Sequence, residues 1–229
     1  MSESSVAVSL AAGGSGDGRV GGECILMRPD LDLYAVAAPL GSRPVAASFV
    51  FEALTAARHR GGDATVEELR ATILDAEERW RSQVSREPSL RGLGCCLAAV
   101  ILRCDHLVVA HLGDCGVLLV RGADIVECTR DHTMRTEPDR RHPGGQTAIV
   151  RAFGMPSDPE VRRWSLEPHD RLVLTAEVRL RVPDEEIAEV TAKATRASEV
   201  VPALLARALE RGATGDVSAI VVFHSGRTG

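Results

Sequence analysis

A chain of 229 residues has room for one domain, or one with small appendages, and 45 % hydrophobic residues supply a sizeable core. Aromatic residues make up only 3 %, so Val, Leu, Ile and Ala must build that core. The formal charge of −5 argues against a nucleic-acid-binding surface, which needs a basic face. No apolar run reaches the roughly 18 residues of a membrane helix. The N-terminus, M-S-E-S-S-V-A-V-S-L-A-A-G-G, lacks the basic-then-apolar order of a signal peptide. The expectation is a soluble, cytoplasmic domain with neither a membrane nor a nucleic acid as partner. The cysteines (Cys24, Cys95, Cys96, Cys104, Cys115 and Cys128) form no C-x-x-C pair and mostly sit in or beside apolar runs. That is the pattern of reduced, buried thiols rather than of a zinc knuckle.

Val6 to Ala12 reads as a strand, and G-G-S-G-D-G after it as a turn. Glu23–Met27 and Leu33–Ala38 read as short strands joined by a turn. Ser42 can cap a helix with Pro44 in its first turn, ending near Arg58. Thr65 with Glu68 forms a capping-box pattern opening a second helix. Val66, Leu69, Ile73, Ala76 and Trp80 form its buried stripe, while Glu67, Arg70, Glu77, Glu78 and Arg81 form a solvated face. Leu97–Leu102, Leu107–Leu112, Val117–Val120 and Ile125–Cys128 read as an antiparallel meander separated by turn residues. Asp131–Gly145 reads as a loop, and Thr147–Phe153 as a strand or short helix. Arg171–Ala176 and Val217–Phe223 read as strands. Helices are expected from Pro183 and over Glu199–Arg211, with Pro202 in the first turn of the latter. Strands and helices in separate blocks indicate an α+β fold, and periodicity alone names no function.

Several segments, taken in order, resemble the PPM (type 2C) family of metal-dependent protein serine/threonine phosphatases. Gly113-Asp114-Cys115-Gly116 stands where that family has G-D-S-R, and Thr129-Arg130-Asp131-His132-Thr133 where it has T-x-D-H-S. His142-Pro143 followed by Ile149–Gly154 resembles H-P … L-T-R-A-L-G. Asp170–Val178 resembles D-x-L-L-L-x-S-D-G, and Gly215–Val222 resembles D-N-x-T-x-x-V-V. Arg19–Cys24 resembles R-x-x-N-E-D, and Leu33–Ser42 resembles the strand that ends in A-D-G-M-G-G. The resemblance covers nearly the whole chain. It implies a single domain over residues 1–229 with an α-β-β-α sandwich, two antiparallel sheets flanked by helices.

The same resemblance implies chemistry and points to its erosion. The family hydrolyses phosphoserine and phosphothreonine with two Mg²⁺ or Mn²⁺ ions, which need several converging carboxylates. The bridging aspartate corresponds to Ala38, the following glycine to Pro39 and the N-E-D aspartate to Cys24. Candidate metal ligands are Glu177 (in place of the S-D-G aspartate), Asp216 and Asp114, and Arg19 is the candidate phosphate contact. No catalytic residue is singled out. Three readings follow: a pseudophosphatase or binding module whose metal centre is weakened or lost, a weak Mn/Mg-dependent phosphatase, or a structural subunit of a larger assembly. The partner implied is a phosphoprotein or a component of a Ser/Thr kinase pathway. His132 and His142 read as loop residues, Trp80 and Trp164 as packing, and Cys115 as a turn thiol that could be exposed.

Overall fold

The computed structural model describes residues 5–11, 24–137, 147–213 and 217–225. The elements in order are β1 (Ser5–Ala11), β2 (Cys24–Arg28), β3 (Leu33–Leu40), α1 (Val45–His59), α2 (Val66–Arg86), β4 (Gly94–Leu102), β5 (His106–Leu112), β6 (Gly116–Arg121) and β7 (Asp124–Cys128). They continue with β8 (Glu160–Ser165), β9 (Arg171–Thr175), α3 (Val178–Arg181), α4 (Asp184–Lys193), α5 (Ala197–Glu210) and β10 (Val217–Phe223). One sheet has the order β2-β3-β4-β5-β8 and the other β1-β10-β9-β6-β7, with every neighbouring pair antiparallel.

Strand alternation divides the apolar side chains among three layers. On β3, Leu33, Ala35 and Ala37 pack outward toward α1 and α2, while Tyr34, Val36 and Ala38 face the second sheet. On β4, Cys95, Leu97, Ala99 and Ile101 point outward, and Cys96, Ala98, Val100 and Leu102 inward. Val117, Leu119, Leu172, Leu174, Ile220 and Val222 meet them from the other sheet. That sheet's outer face, with Leu118, Val173, Ala219 and Val221, is covered by Val200, Val201, Leu204 and Leu205 of α5 and Ile187 of α4. The central strands are buried on both faces, which is why β4 is a continuous apolar run rather than an alternating one. This is the expected α-β-β-α sandwich.

Local differences from the sequence reading have physical causes. The first helix starts at Val45 with Pro44 at its N-cap, and no side chain caps it, so Ser42 has no such role. The Thr65–Glu68 capping box is present in both directions. Residues 147–153 form neither a strand nor a helix; their backbone makes only the isolated bridges Thr133↔Ile149 and Cys95↔Phe153, while the Phe153 side chain is buried in the outer core and Ile149 packs against the inner one. The strand Glu160–Ser165 went unread, because an edge strand with Arg162 and Arg163 exposed lacks an apolar signature.

Glu77 is the clearest exception. It was assigned to the solvated face of α2, but it is 5 % exposed. Its Oε2 accepts the N–H of Gly154 at 2.9 Å, beside the ring cluster of Phe49, Trp80 and Phe153. Gly154 has φ +90°, and a Cβ there would lie 2.8 Å from the Leu93 carbonyl oxygen, so only glycine brings this N–H to the carboxylate. Burial raises the Glu77 pKa, opposed by the Gly154 N–H and the charge of Arg81. A carboxyl whose folded pKa lies above its unfolded value contributes most stability below the unfolded value and loses it as pH rises through the folded one. Glu77→Gln keeps an acceptor for Gly154 and removes the buried charge. In urea titrations the variant is expected to match or exceed the wild type at pH 7, and to lack the wild type's gain in stability as pH falls toward 4.5, the ordinary value for this group. Trp80→Ala, by contrast, is expected to cost about 3–5 kcal/mol at either pH.

Candidate functional site at one end of the sandwich

The register brings several strand ends together. Gly116 of β6 pairs with Thr175 of β9, so Asp114, just before β6, and Glu177, just after β9, extend from the same end of that pair. Ala38 pairs with Cys96, and both face the space between the sheets together with Cys115. Asp216 immediately precedes β10 in the chain, but it lies outside the described residues, as do Arg19 and His142.

The turn that carries Asp114 is tightly specified. Gly113 has φ +86°, and a Cβ would collide with the Cys96 side chain, so the turn must hold glycine. His132 grips this glycine from both sides: its N–H donates to the Gly113 carbonyl at 2.8 Å, and its Nδ1 accepts the Gly113 N–H at 3.2 Å. His132 does lie in the connection after β7, but it is buried there, 3 % exposed, against His111, with ring centroids 4.3 Å apart. Burial pushes the Cys96 thiol well above its usual range, and the neighbouring Asp114 charge adds to the shift. Cys115 is fully buried, so it is no surface nucleophile.

Asp131 of the T-R-D-H-T segment faces a buried cation. Arg179, in the short helix after Glu177, donates from Nη1 to Asp131 Oδ1 at 3.1 Å and to the Thr129 carbonyl at 3.2 Å. Its Nε and Nη2 hold both oxygens of Asp184 at 2.8 and 2.7 Å. Burial works against the guanidinium charge, but the Asp184 and Asp131 carboxylates outweigh it and raise its pKa. Burial also raises the Asp131 carboxyl; Arg179 pulls it back down, while Asp114 pushes it further up. Asp114 and Asp131 thus share one electrostatic neighbourhood. Glu177 turns elsewhere, with Oε1 3.8 Å from Arg181 Nη2.

Cys24, which resembles the N-E-D aspartate by position, packs with Leu26 against the outer core under α1. It stands on the face of the sheet opposite Ala38, so its identity does not bear on the space between the sheets. Among the described residues, donor atoms gather within 4.8 Å of one another only at His111, His132 and Glu160. Sequence reasoning passed over His111, Glu160 and Arg179. The signal for His111 was available: in H-L-V-V-A-H-L it is in phase with Leu107 and Val109, which face the space between the sheets.

The family profile for Protein phosphatase 2C matches residues 28–141. The chain is 27 % identical over 172 residues to the Mycobacterium tuberculosis serine/threonine protein phosphatase PstP, covering 70 % of this chain and 33 % of that protein. Its structure superimposes on the crystal structure of M. tuberculosis PstP/Ppp with a TM-score of 0.80 at 24 % identity, covering 97 % and 99 % of the two chains. The chain belongs to the protein phosphatase 2C (PPM) family. A plant member, Probable protein phosphatase 2C 10 of Arabidopsis thaliana, is 28 % identical over 156 residues, covering 58 % of this chain and 55 % of that protein. Among solved PPM folds, the regulatory type VI secretion component PppA of Pseudomonas aeruginosa gives a TM-score of 0.78 at 22 % identity, over 96 % and 99 % of the two chains. The PstP catalytic domain solved with two manganese ions gives 0.81 at 23 %, over 98 % and 99 %. The chain spans 55 % of the length of the first of these curated relatives and 33 % of the second.

Arg179 gives this PPM domain a testable dependency. Removing one partner of a fully buried ion pair costs about 3–5 kcal/mol, and an exposed pair is worth about 0–1 kcal/mol. Arg179 is 10 % exposed against carboxylates 28 and 27 % exposed, so its loss falls between, at about 2–3 kcal/mol. Arg179→Ala is expected to lose that much stability at pH 7 by chemical denaturation. The deficit should shrink on acidification, because Asp131 without the guanidinium is better accommodated protonated. A deficit independent of pH would show that the loss comes from packing alone.

Proposed function

We propose that this PPM domain works as a pseudophosphatase or regulatory binding module in Ser/Thr phosphorylation signalling, with phosphoproteins or kinase-pathway proteins as partners. The observation that carries the reading is Ala38. Its methyl group faces the space between the sheets next to Cys96, at the position that resembles the family's metal-bridging aspartate. Two dications held close together need a shared anionic ligand, and neither Ala38 nor Pro39 has a side-chain oxygen. The surroundings support the same reading. Cys96 is a buried thiol with a raised pKa, a poor ligand for hard cations. The charge of Asp131 is already balanced by the Arg179 guanidinium. The residues present do not fit a paired Mg²⁺ or Mn²⁺ centre, and no hydrolytic step is assigned to one. The likeness to serine/threonine phosphatases such as PstP supports the signalling context.

One observation favours a second reading, a weak metal-dependent phosphatase. Glu177 and Asp114 keep carboxylates at the same end of the β6–β9 pair, and Asp216 keeps one in the sequence. Hydrolysis of an aryl phosphate at millimolar Mn²⁺ separates the two. The wild-type chain is expected to show no Mn²⁺-dependent rate above buffer. Ala38→Asp is expected to create one if the missing carboxylate is the main defect. A wild-type rate that requires Mn²⁺ and disappears in Glu177→Ala or Asp216→Ala would overturn the pseudophosphatase reading in favour of the weak enzyme.

A further inference from the structure

We propose that His111, His132 and Glu160 form a mononuclear site for a borderline transition metal, Zn²⁺ first among them, separate from the carboxylate positions at Asp114 and Glu177. The three residues come from three segments: β5, the stretch after β7, and β8. His111 and Glu160 are direct cross-strand partners and so project on the same face, and His132 is laid against them by its bonds to Gly113. One donor atom from each lies within 4.8 Å of the others. Zn–N bonds of about 2.0–2.1 Å imply about 3.3 Å between neighbouring donors, so the side chains need close by at most about 1.5 Å.

Two features distinguish this cluster from ordinary packing. His111 is 1 % exposed, yet neither ring nitrogen makes a hydrogen bond of good geometry. A buried imidazole without partners is costly unless something satisfies it, and a metal ion accepts the lone pair that no protein donor meets. The charge also suits a dication. The cluster offers two imidazoles beside one carboxylate. Of the cations nearby, Arg151 pairs with Glu137 and Arg179 with Asp131 and Asp184, while the exposed Arg162 holds Glu160 Oε1 at 2.6 Å and competes for its charge, so that only Oε2 is offered to a metal. Glu160 Oε2 is left facing His132 Nε2 at 3.4 Å. Two imidazoles and a carboxylate suit Zn²⁺ and its neighbours in the transition series better than Mg²⁺ or Mn²⁺. The half-exposed Glu160 leaves a fourth position to water.

Metal capture also has a local consequence. With Nδ1 of His132 accepting the Gly113 N–H, the ring proton sits on Nε2, toward Glu160. Coordination through Nε2 requires the single ring proton to move from Nε2 to Nδ1, where it opposes the Gly113 N–H. Binding therefore exchanges the grip on the Gly113–Asp114 turn for a metal bond.

The test uses the metal-stripped full chain with Co²⁺ and Zn²⁺ alone as probes. The wild type is expected to bind one equivalent of Co²⁺ with visible ligand-field bands, to lose them to Zn²⁺ but not to excess Mg²⁺, and to shift the Gly113 amide resonance on binding. His111→Phe keeps a ring in the core without nitrogens and should abolish the bands; Glu160→Gln on the edge strand should weaken binding on the order of tenfold or more. If His111→Phe fails to fold by circular dichroism, Glu160→Gln decides. No bands in the wild type, or bands unchanged in the folded variants, would overturn the site. None of these readouts depends on phosphatase activity.

Discussion

The constraint on which the rest of the structure depends is that the six middle strands are buried on both faces. β3, β4, β5, β6, β9 and β10 lie between a helical layer and the opposite sheet, so a charge in their interiors would carry an unpaired burial cost, and the arginines of β6 and β9, Arg121 and Arg171, stand at strand ends. Chemistry is therefore confined to the strand ends and the segments just beyond them. Asp114, Asp131, Glu177 and Arg179 all occupy such positions, and so does Ala38. A fold built this way separates what makes it stable from what makes it reactive. Ligand positions can change while the apolar strands between them stay intact.

The polar groups at that end are held by a few specific partners rather than by solvent. Arg179 ties the segment after β9 to the segment after β7 through Asp131 and the Thr129 carbonyl, and to the start of α4 through Asp184. His132 ties the same β7 segment to the turn before β6. Thr129 adds a third link, its hydroxyl accepting the Val117 N–H at 3.0 Å. These bonds cross between elements far apart in the chain and fix the end of the sandwich with protein groups alone.

The layered fold was legible because apolar periodicity and turn chemistry agree along most of the chain: Thr65–Glu68 marked α2, and Gly113-Asp114 and Gly122 marked the meander turns. The failures share one cause. Glu77 sits on the polar stripe of α2, but tertiary packing brings Gly154 over it, and no local pattern reveals a neighbour 77 residues away. β8 is an edge strand whose exposed arginines break the apolar pattern. Residues 147–153 have strand composition but find only single bridging partners. At the candidate site, the family pattern picked out Ala38, Asp114 and Glu177 by order in the chain. Which way Cys24 faces needed the sheet register, and the partner of Asp131 needed the packing of α3.

If Ala38 stands in place of a bridging carboxylate, as the proposed function has it, electrostatics gives that change a rationale that does not depend on drift. Carboxylates gathered at strand ends repel one another unless cations sit among them, and Asp114 already raises the pKa of Asp131. A domain that must fold without a metal pair gains by losing the most central carboxylate and by holding a neighbouring one with a fixed protein cation. Ala38 accomplishes the first and Arg179 the second. The buried Cys96 thiol fits the same logic: it fills space between the sheets, and burial raises its pKa. An active two-metal site would invert each of these choices, since it needs its carboxylates charged, convergent and free of competing guanidinium groups. Among the described residues, Asp131 and Asp184 have their charges met by the Arg179 guanidinium, and it is on this balance, with Ala38, that the proposed binding role rests.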